Sequence, residues 1–324
     1  MKLRRRTFLR LAAGAAALPA LSRGAWAQAY PSRPLRFIVP LPAGGGLDFA
    51  ARLIGEYLSH SLGQQIVVEN KAGAGGMIGI ETAANSPPDG HSVLITTEIV
   101  ASAPHVLKAN VDYVKGLVPV IEIVNQPVLL AVHPSLGVDT LAELIRVAKA
   151  RPGLGYGTTG VGTQQHFVGA WLTQLTDSKL EHIPYRGASQ MVNDLIAGHI
   201  LTCFLGPPAL IPHYKTGALR LLAQSTERPA SSLPEVPTFQ EGGVKELVLV
   251  SRFGMFLPAG TPSSIVTRLN AEVNKALLDP NIGENMRKAS QEPMGGSPER
   301  LARVIQEDSA KYARLAAELK IKVE

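Results

Sequence analysis

PLRFIVPLPAGGGLDFAARLI, residues 34–54, contains the pattern from which the architecture can be worked out. Its first part, Leu35 to Val39, is a short apolar run of the kind that forms a buried strand. Two prolines and three consecutive glycines follow, and after them apolar side chains recur at helical spacing as far as Leu62. Backbone N–H groups at a helix start attract negative charge, so a glycine-rich turn between a strand and a helix can hold an anion. A tight turn without any ligand is the alternative interpretation of the same glycines.

The rest of the chain repeats this alternation of apolar runs and amphipathic segments. Helices are predicted over 48–62, 140–150 and 189–198, and the chain from Ser263 onward is almost entirely helical in pattern. Strands are predicted at eight apolar runs: RFIVP, QQIVVEN, HSVLITT, VPVIEIV, VLLAVHP, LGYGTT, ILTCFL and LRLLAQS. Strands that alternate with helices predict an α/β fold with parallel sheets and helices on both faces.

A second glycine-rich turn, GYGTTGVGTQQHF at 155–167, carries Thr158, Thr159, Thr163 and Gln164. Hydroxyl and amide groups among glycines suit hydrogen bonding to a polar ligand, although Thr163 can equally serve as a helix cap. In open α/β sheets, ligands bind beyond the carboxyl ends of the strands. If each glycine-rich turn belongs to its own domain, the two turns face each other across a cleft.

Residues 1–27 have the composition of an export signal: a basic start, a short apolar core and the small-x-small sequence AWA. The order from Arg5 to Arg10 matches a twin-arginine signal, and an ordinary secretion signal with an extra arginine is the alternative. Cleavage after Ala27 would leave a periplasmic chain that starts at Gln28. The signal holds six of the 32 basic residues and no acid, so 26 basic and 26 acidic residues remain. This balance gives no support for nucleic-acid binding.

The motifs of common catalytic and metal sites are missing from the sequence. Neither glycine-rich turn has the lysine of a P-loop, and the chain contains no G-x-S-x-G or H-E-x-x-H motif. The eight histidines are scattered, and His166 is interpreted as a packed residue. The single cysteine, Cys203, lies in an apolar run and is interpreted as a small buried hydrophobe. The glycine cluster at 70–79 is interpreted as close packing of a turn against a neighbouring strand, with a ligand contact as the alternative. The sequence therefore predicts a binding protein without catalytic residues, metal or cofactor.

Several segments resemble the substrate-binding proteins of tripartite tricarboxylate transporters, which are also called Bug receptors. The matching segments include YPSRPLRFIVPLPAGGGLDFAARLI, LGQQIVVENKAGAGGMIGIETAANSPPDGHSVLI, YGTTGVGTQQH, IPYRGASQMVNDLIAGHI, SLPEVPTFQEGG and FLPAGTPSSIVTRLNAEVNKAL. The resemblance implies a type II periplasmic-binding-protein fold, with two α/β lobes and a ligand cleft between them. Residues 28–125 plus 250–324 would form one lobe, and 126–249 the other.

The resemblance also implies what the cleft holds and which residues hold it. A small organic acid would bind unchanged and be delivered by a monomeric protein to membrane permease subunits, with a ligand sensor for a two-component kinase as the alternative role. The expected ligand contacts are Leu41, Pro42, Ala43, Gly44, Gly45, Asp48, Thr97, Glu98, Thr158, Thr159, Gly162, Thr163, Gln164, Ala188, Leu205 and Arg252.

Some of these residues depart from what the resemblance would lead us to expect. Glu98 stands where small residues are usual, Arg252 where an aromatic residue is usual, and Leu205 where an acid is usual. Glu98 and Arg252 could pair with each other, or Arg252 could meet an acidic group of the ligand and Glu98 an ammonium or hydroxyl group. An unpaired Glu98 would oppose a second ligand carboxylate, which predicts an organic acid other than a symmetric dicarboxylate.

Overall fold

The first strand of the sequence is paired on both sides within a large sheet, and a turn and a helix follow it. The computed structural model describes residues 30–107 and 116–321, so the export-signal prediction lies outside the described residues. Strand β1, Leu35–Val39, is almost completely buried. Helix α1, Gly46–Leu62, packs its apolar face on this strand and ends at Gly63, whose φ of 66° is left-handed. A glycine is favoured there because it has no Cβ to strain.

The first sheet has six strands in the order β11-β4-β10-β3-β1-β2. Strand β1 pairs in parallel with β2 and β3, whereas β10 runs antiparallel to both β3 and β4. The remaining strands of this sheet are β2 Ile66–Asn70, β3 Ser92–Thr97, β4 Leu117–Gln126, β10 Ser251–Pro258 and β11 Glu292–Pro293.

The second sheet has five strands in the order β7-β6-β8-β5-β9. Strand β6 runs parallel to β7 and β8, and β5 runs antiparallel to β8 and β9. These strands are β5 Leu129–Val132, β6 Leu154–Thr158, β7 Leu180–Pro184, β8 Thr202–Leu205 and β9 Arg220–Gln224.

Helices cover both sheets, as the alternating pattern predicts. The other helices are α2 Met77–Ala84, α3 Ile99–Val106, α4 Leu141–Ala150, α5 Gln164–Thr176, α6 Ala188–Ile196, α7 Ile211–Lys215, α8 Ser263–Leu278, α9 Pro280–Lys288 and α10 Pro298–Glu318. Prolines stand at the first position of α9 and α10, where the missing N–H costs nothing. The predicted helical C-terminal segment is confirmed, apart from the short strand β11.

The chain passes between the sheets twice, which gives the two-lobed α/β fold. Strand β4 ends in the first sheet at Gln126, and β5 begins in the second sheet at Leu129. The return occurs between Gln224 and Ser251, after which β10 enters the middle of the first sheet. Helix α10 then contacts α3 on the first sheet and α5 on the second. Both sheets belong to one compact unit that starts at Arg33.

Candidate functional site

A small cavity lies where the carboxyl ends of strands from both sheets meet. The turns after β1, β3, β6, β7 and β8 all contribute to its wall, together with the end of β4 and the start of β10. The centres of water molecules can occupy about 60 Å³ of this space, and one water needs roughly 10–15 Å³ on that measure. The cavity therefore holds a few waters or one small organic molecule. Its lining residues are Leu41, Pro42, Gly45, Gly46, Leu47, Asp48, Thr97, Glu98, Ile99, Gln126, Thr159, Thr163, Gln165, Gly187, Ala188, Leu205, Gly206, Ala209, Ser251 and Phe253.

Four helices begin at this cavity without a side-chain cap. The N-cap residues of α1, α3, α5 and α6 are Gly45, Glu98, Thr163 and Gly187, and all four line the cavity. Within the described residues, none of these N-caps accepts a hydrogen bond from its own helix through its side chain. Of the helices that begin elsewhere, α4, α9 and α10 have side-chain caps, whereas α2, α7 and α8 do not. The uncapped helix starts leave N–H groups and positive dipole ends directed at the cavity.

The first glycine-rich turn is held in shape by Asp48. The Gly44 N–H donates to Asp48 Oδ2 at 3.1 Å, and Arg52 Nη2 lies 2.9 Å from Asp48 Oδ1. Burial alone would raise the pKa of Asp48, but the hydrogen bonds from Arg52 and Gly44 outweigh burial and hold the pKa below its usual value. Asp48 is thus an ionised, paired residue that fixes the turn.

The second glycine-rich turn rests on two stacked histidines. The rings of His166 and His182 lie 3.8 Å apart between centroids. His182 Nε2 is 2.6 Å from Thr158 Oγ1, and the Gly162 N–H donates to His166 Nδ1 at 3.3 Å. Burial lowers the pKa of His166 to about 3 and that of His182 to about 4. Both rings are therefore neutral at pH 7, which keeps His166 Nδ1 available as an acceptor. The interpretation of His166 as a packed residue agrees with this position.

The Thr163 hydroxyl also belongs to this turn rather than to the helix that follows it. Thr163 Oγ1 donates to the Gly160 carbonyl at 2.8 Å and does not cap α5. Thr163 is the N-cap residue of α5, in agreement with the alternative interpretation, but its hydroxyl is directed backward into the turn and does not cap the helix.

Glu98 is a buried acid on the cavity wall at the start of α3. It is 3% exposed, and its Oε2 accepts hydrogen bonds from Ser251 Oγ at 3.2 Å and from the Arg252 N–H at 3.3 Å. Burial raises the pKa of Glu98 to about 7, against the lowering effect of these hydrogen bonds. Burial therefore makes the ionisation of this carboxyl group costly near neutral pH.

Arg252 lies outside the cavity lining, contrary to expectation. Its Nη1 is 2.9 Å from Glu122 Oε1 and its Nε is 3.1 Å from Asp308 Oδ2. Side chains alternate across a strand, so Ser251 and Phe253 of β10 face the cavity and Arg252 faces α10. The side chains of Glu98 and Arg252 form no ion pair in the described structure, and only the Arg252 backbone N–H reaches Glu98.

Most of the expected ligand contacts line the cavity, and the others lie outside its lining. Leu41, Pro42, Gly45, Asp48, Thr97, Glu98, Thr159, Thr163, Ala188 and Leu205 line the cavity. The other expected contacts lie outside the lining: Ala43 and Gly44 are exposed, and Thr158 and Gln164 are fully buried. The Gly162 carbonyl accepts a hydrogen bond from Ser102 Oγ of the other lobe.

Sequence reasoning missed ten lining residues, two of them in the first glycine-rich stretch and the others at places with little local signal. These are Gly46, Leu47, Ile99, Gln126, Gln165, Gly187, Gly206, Ala209, Ser251 and Phe253. Gln126 could have been found, because it is a polar residue at the end of a predicted strand. Ser251 and Phe253 depend on β10, which the apolar pattern did not identify as a strand.

The glycine cluster at 70–79 packs closely against the first strand. A Cβ on Gly79 would lie 2.7 Å from the Pro40 Cα, so this position requires glycine. The cluster also borders a second, more open space of about 810 Å³ on the measure used above. Close packing therefore explains at least Gly79.

No group of three or more His, Cys, Asp or Glu side chains in residues 30–107 and 116–321 could hold a metal ion. Over the same ranges, none of the helices is both long and apolar enough to cross a membrane.

Comparison with known proteins agrees with this geometry. The profile of the family described as "Tripartite tricarboxylate transporter family receptor" matches residues 50–321. Protein BugT of Bordetella pertussis is 33% identical over 296 residues, which cover 90% of this chain and 91% of BugT. The structure of the periplasmic binding protein BugD is 28% identical with a TM-score of 0.87, covering 91% of this chain and 100% of that chain. The structure of R. palustris Rpa4515 with adipate is 32% identical with a TM-score of 0.88 and the same coverage. This chain shares the two-lobed fold of these periplasmic binding proteins, and it belongs to the tripartite tricarboxylate transporter receptor family.

Proposed function

We propose that this protein binds a small organic acid between its two lobes, with a carboxylate of the ligand held by the starts of α1, α5 and α6. The observation that carries this proposal is the convergence of uncapped helix N-termini on one cavity. A carboxylate there would accept hydrogen bonds from backbone N–H groups and interact favourably with the helix dipoles.

The charge of the lining supports backbone recognition over ion pairing. Among the described residues of the lining, Lys, Arg and His are absent. Asp48 is already paired with Arg52. Any carboxylate must therefore be held by N–H groups, hydroxyls and amides such as Thr159, Thr163 and Gln126. The volume of about 60 Å³ favours a small ligand.

The family and the predicted export signal support a partner and a compartment for this protein. We infer that the ligand-bound protein acts in the periplasm, after cleavage at Ala27, as a monomer that delivers the acid to membrane permease subunits of a tripartite transporter. The lobes proposed from the sequence, 28–125 plus 250–324 and 126–249, are supported by the two passages of the chain between the sheets. Adipate in the Rpa4515 structure supports a carboxylate as the ligand class.

The test is thermal unfolding of the purified protein against a panel of organic acids, each paired with its uncharged carboxamide. A ligand at about 100 times its Kd adds roughly 2.7 kcal/mol to the free energy of unfolding. We expect at least one acid to raise the Tm clearly and its carboxamide to have little effect. A response to carboxamides or amines alone, with none to acids, would contradict carboxylate binding at the helix starts.

A further inference from the structure

Glu98 is the one ionisable residue of the described cavity lining without a charged partner. The lining contains two ionisable residues, Asp48 and Glu98, and both are acids. Asp48 is paired with Arg52 and bonded to the Gly44 N–H. Glu98 accepts hydrogen bonds from Ser251 Oγ and the Arg252 N–H, which are both neutral donors. A carboxylate buried with neutral donors only remains costly to ionise.

The other groups around Glu98 do not supply the missing positive charge. On β10, the Arg252 guanidinium turns away to Glu122 and Asp308. On α10, Asp308 raises the pKa of Glu98 through its negative charge, and Tyr312 is a buried phenol whose own pKa is raised well above normal. Lys311 of α10 donates to the Val248 carbonyl. On α1, the Arg52 charge is taken up by Asp48.

We propose that the natural ligand carries a protonated amine together with its carboxylate, and that the amine pairs with Glu98. This proposal rests on the proposed function, since the carboxylate of the same molecule occupies the helix N-termini. The positive charge of the ligand amine then balances the negative charge of Glu98 in the cavity. Two neutral donors already orient Glu98 Oε2, so the carboxylate is positioned before the amine arrives.

A plain dicarboxylate would be repelled by Glu98. Its second carboxylate would lie in a small cavity with a buried acid of the same sign, and like charges at short range in a desolvated site repel strongly. Binding would require a proton on Glu98 or on the ligand. The proposal therefore expects this chain to disfavour plain diacids such as adipate, which the Rpa4515 structure contains.

The experiment compares matched ligands by titration calorimetry. One set has four carbons: butanoate, succinate, 2-aminobutanoate and 4-aminobutanoate. A second set is aromatic: benzoate, terephthalate and 4-(aminomethyl)benzoate. We expect an amino acid to bind at least tenfold more tightly than the monoacid and the diacid of its set at pH 8.

Variants of Glu98 test whether that residue makes the selection. Glu98→Gln should weaken binding of the preferred amino acid at least tenfold and strengthen binding of the matched diacid. Glu56→Gln, which neutralises an exposed glutamate of α1, should leave both affinities unchanged.

Proton exchange in the unaltered protein provides a second measurement that needs no variant. Titrations at pH 8 in two buffers of different ionisation enthalpy should show proton uptake with the diacid and none with the amino acid. Equal or tighter binding of the diacid without proton uptake would overturn the role of Glu98 and leave carboxylate binding intact. Failure of every acid in both sets to bind would overturn the proposed function as well.

Discussion

At the scale of single residues, a carboxyl group such as Glu98 lowers stability in the absence of ligand. Its folded-state pKa of about 7 is above its ordinary value of 4.5. The folded protein therefore holds a proton more tightly than the unfolded chain does. The associated stability is fully present below pH 4.5 and is lost as the pH rises through about 7.

We expect Glu98→Gln to remove this part of the pH dependence. The free energy of unfolding of the unliganded wild-type protein should fall by on the order of 3 kcal/mol more than that of the variant between pH 4.5 and pH 8. Urea unfolding at several pH values measures the difference, and Glu56→Gln should follow the wild-type curve. Parallel curves for the wild type and Glu98→Gln would show that Glu98 is ionised at ordinary pH without cost.

At the scale of elements, the first turn and its helix depend on two glycines of different purpose. Gly44 precedes α1 with φ of +86°, and its N–H donates to Asp48. Gly63 ends the same helix with φ of +66°, and a Cβ there would contact nothing within 4 Å. The two positions have similar backbone strain, but only Gly44 lies in the turn at the cavity.

Alanine at these two glycines should therefore separate stability from binding. Each substitution places a Cβ on left-handed backbone and should cost about 1 kcal/mol of stability. Gly44→Ala should also weaken ligand binding at least fivefold, because it displaces the turn that presents the start of α1. Calorimetric affinities beside urea unfolding measure both effects. Equal affinities for the two variants would indicate that the exact shape of the first turn is unimportant.

At the scale of the whole molecule, some of the contacts between the two lobes lie beside the cavity. A Cβ on Gly187 in the second lobe would lie 3.1 Å from Pro42 Cγ in the first. The Gly187 backbone is extended, with φ of −178°, so any residue can adopt it. Ser102 Oγ donates to the Gly162 carbonyl across the same boundary at 3.2 Å. A hinge opening of the cleft would break these contacts, so we expect them to contribute to the balance between open and closed forms.

Gly187→Ala should shift that balance toward the open form. The added methyl group pushes against Pro42 in the closed form and costs nothing locally. We expect a threefold to tenfold loss of affinity that appears in the dissociation rate, with the unfolding free energy of the unliganded protein within about 0.5 kcal/mol of wild type. Stopped-flow binding and small-angle scattering measure these effects. Adding Pro42→Ala should restore part of the affinity if the clash is the cause. An unchanged dissociation rate would show that the lobes do not close this tightly.

The sequence pattern was sufficient for most of the fold and for only part of the site. All eight predicted strands are present, because each is an apolar run bounded by turn residues. Strand β7 was missed because it is a sheet edge with the polar residues Glu181 and His182, and β10 because Gly254 and Arg252 interrupt its apolar pattern. The side of the sheet on which the Arg252 side chain lies depends on the register of β10 between β3 and β4, and no local sequence pattern specifies that register. The absence of side-chain caps could not be predicted from the local sequence either, because the Thr163 hydroxyl donates to the preceding Gly160 carbonyl.

The two passages of the chain between the sheets also bear on the order in which the protein can form during synthesis. All strands of the second sheet have emerged once residue 224 has left the ribosome. The first sheet, although it contains the earliest strands, lacks its central strand β10 until Pro258 is made. Until then β3 and β4 have no partner between them, and unpaired strand edges favour association with other chains. The second sheet is thus the first whose strands can all pair, and the first sheet must wait, with exposed edges, for a segment more than 150 residues downstream of β3.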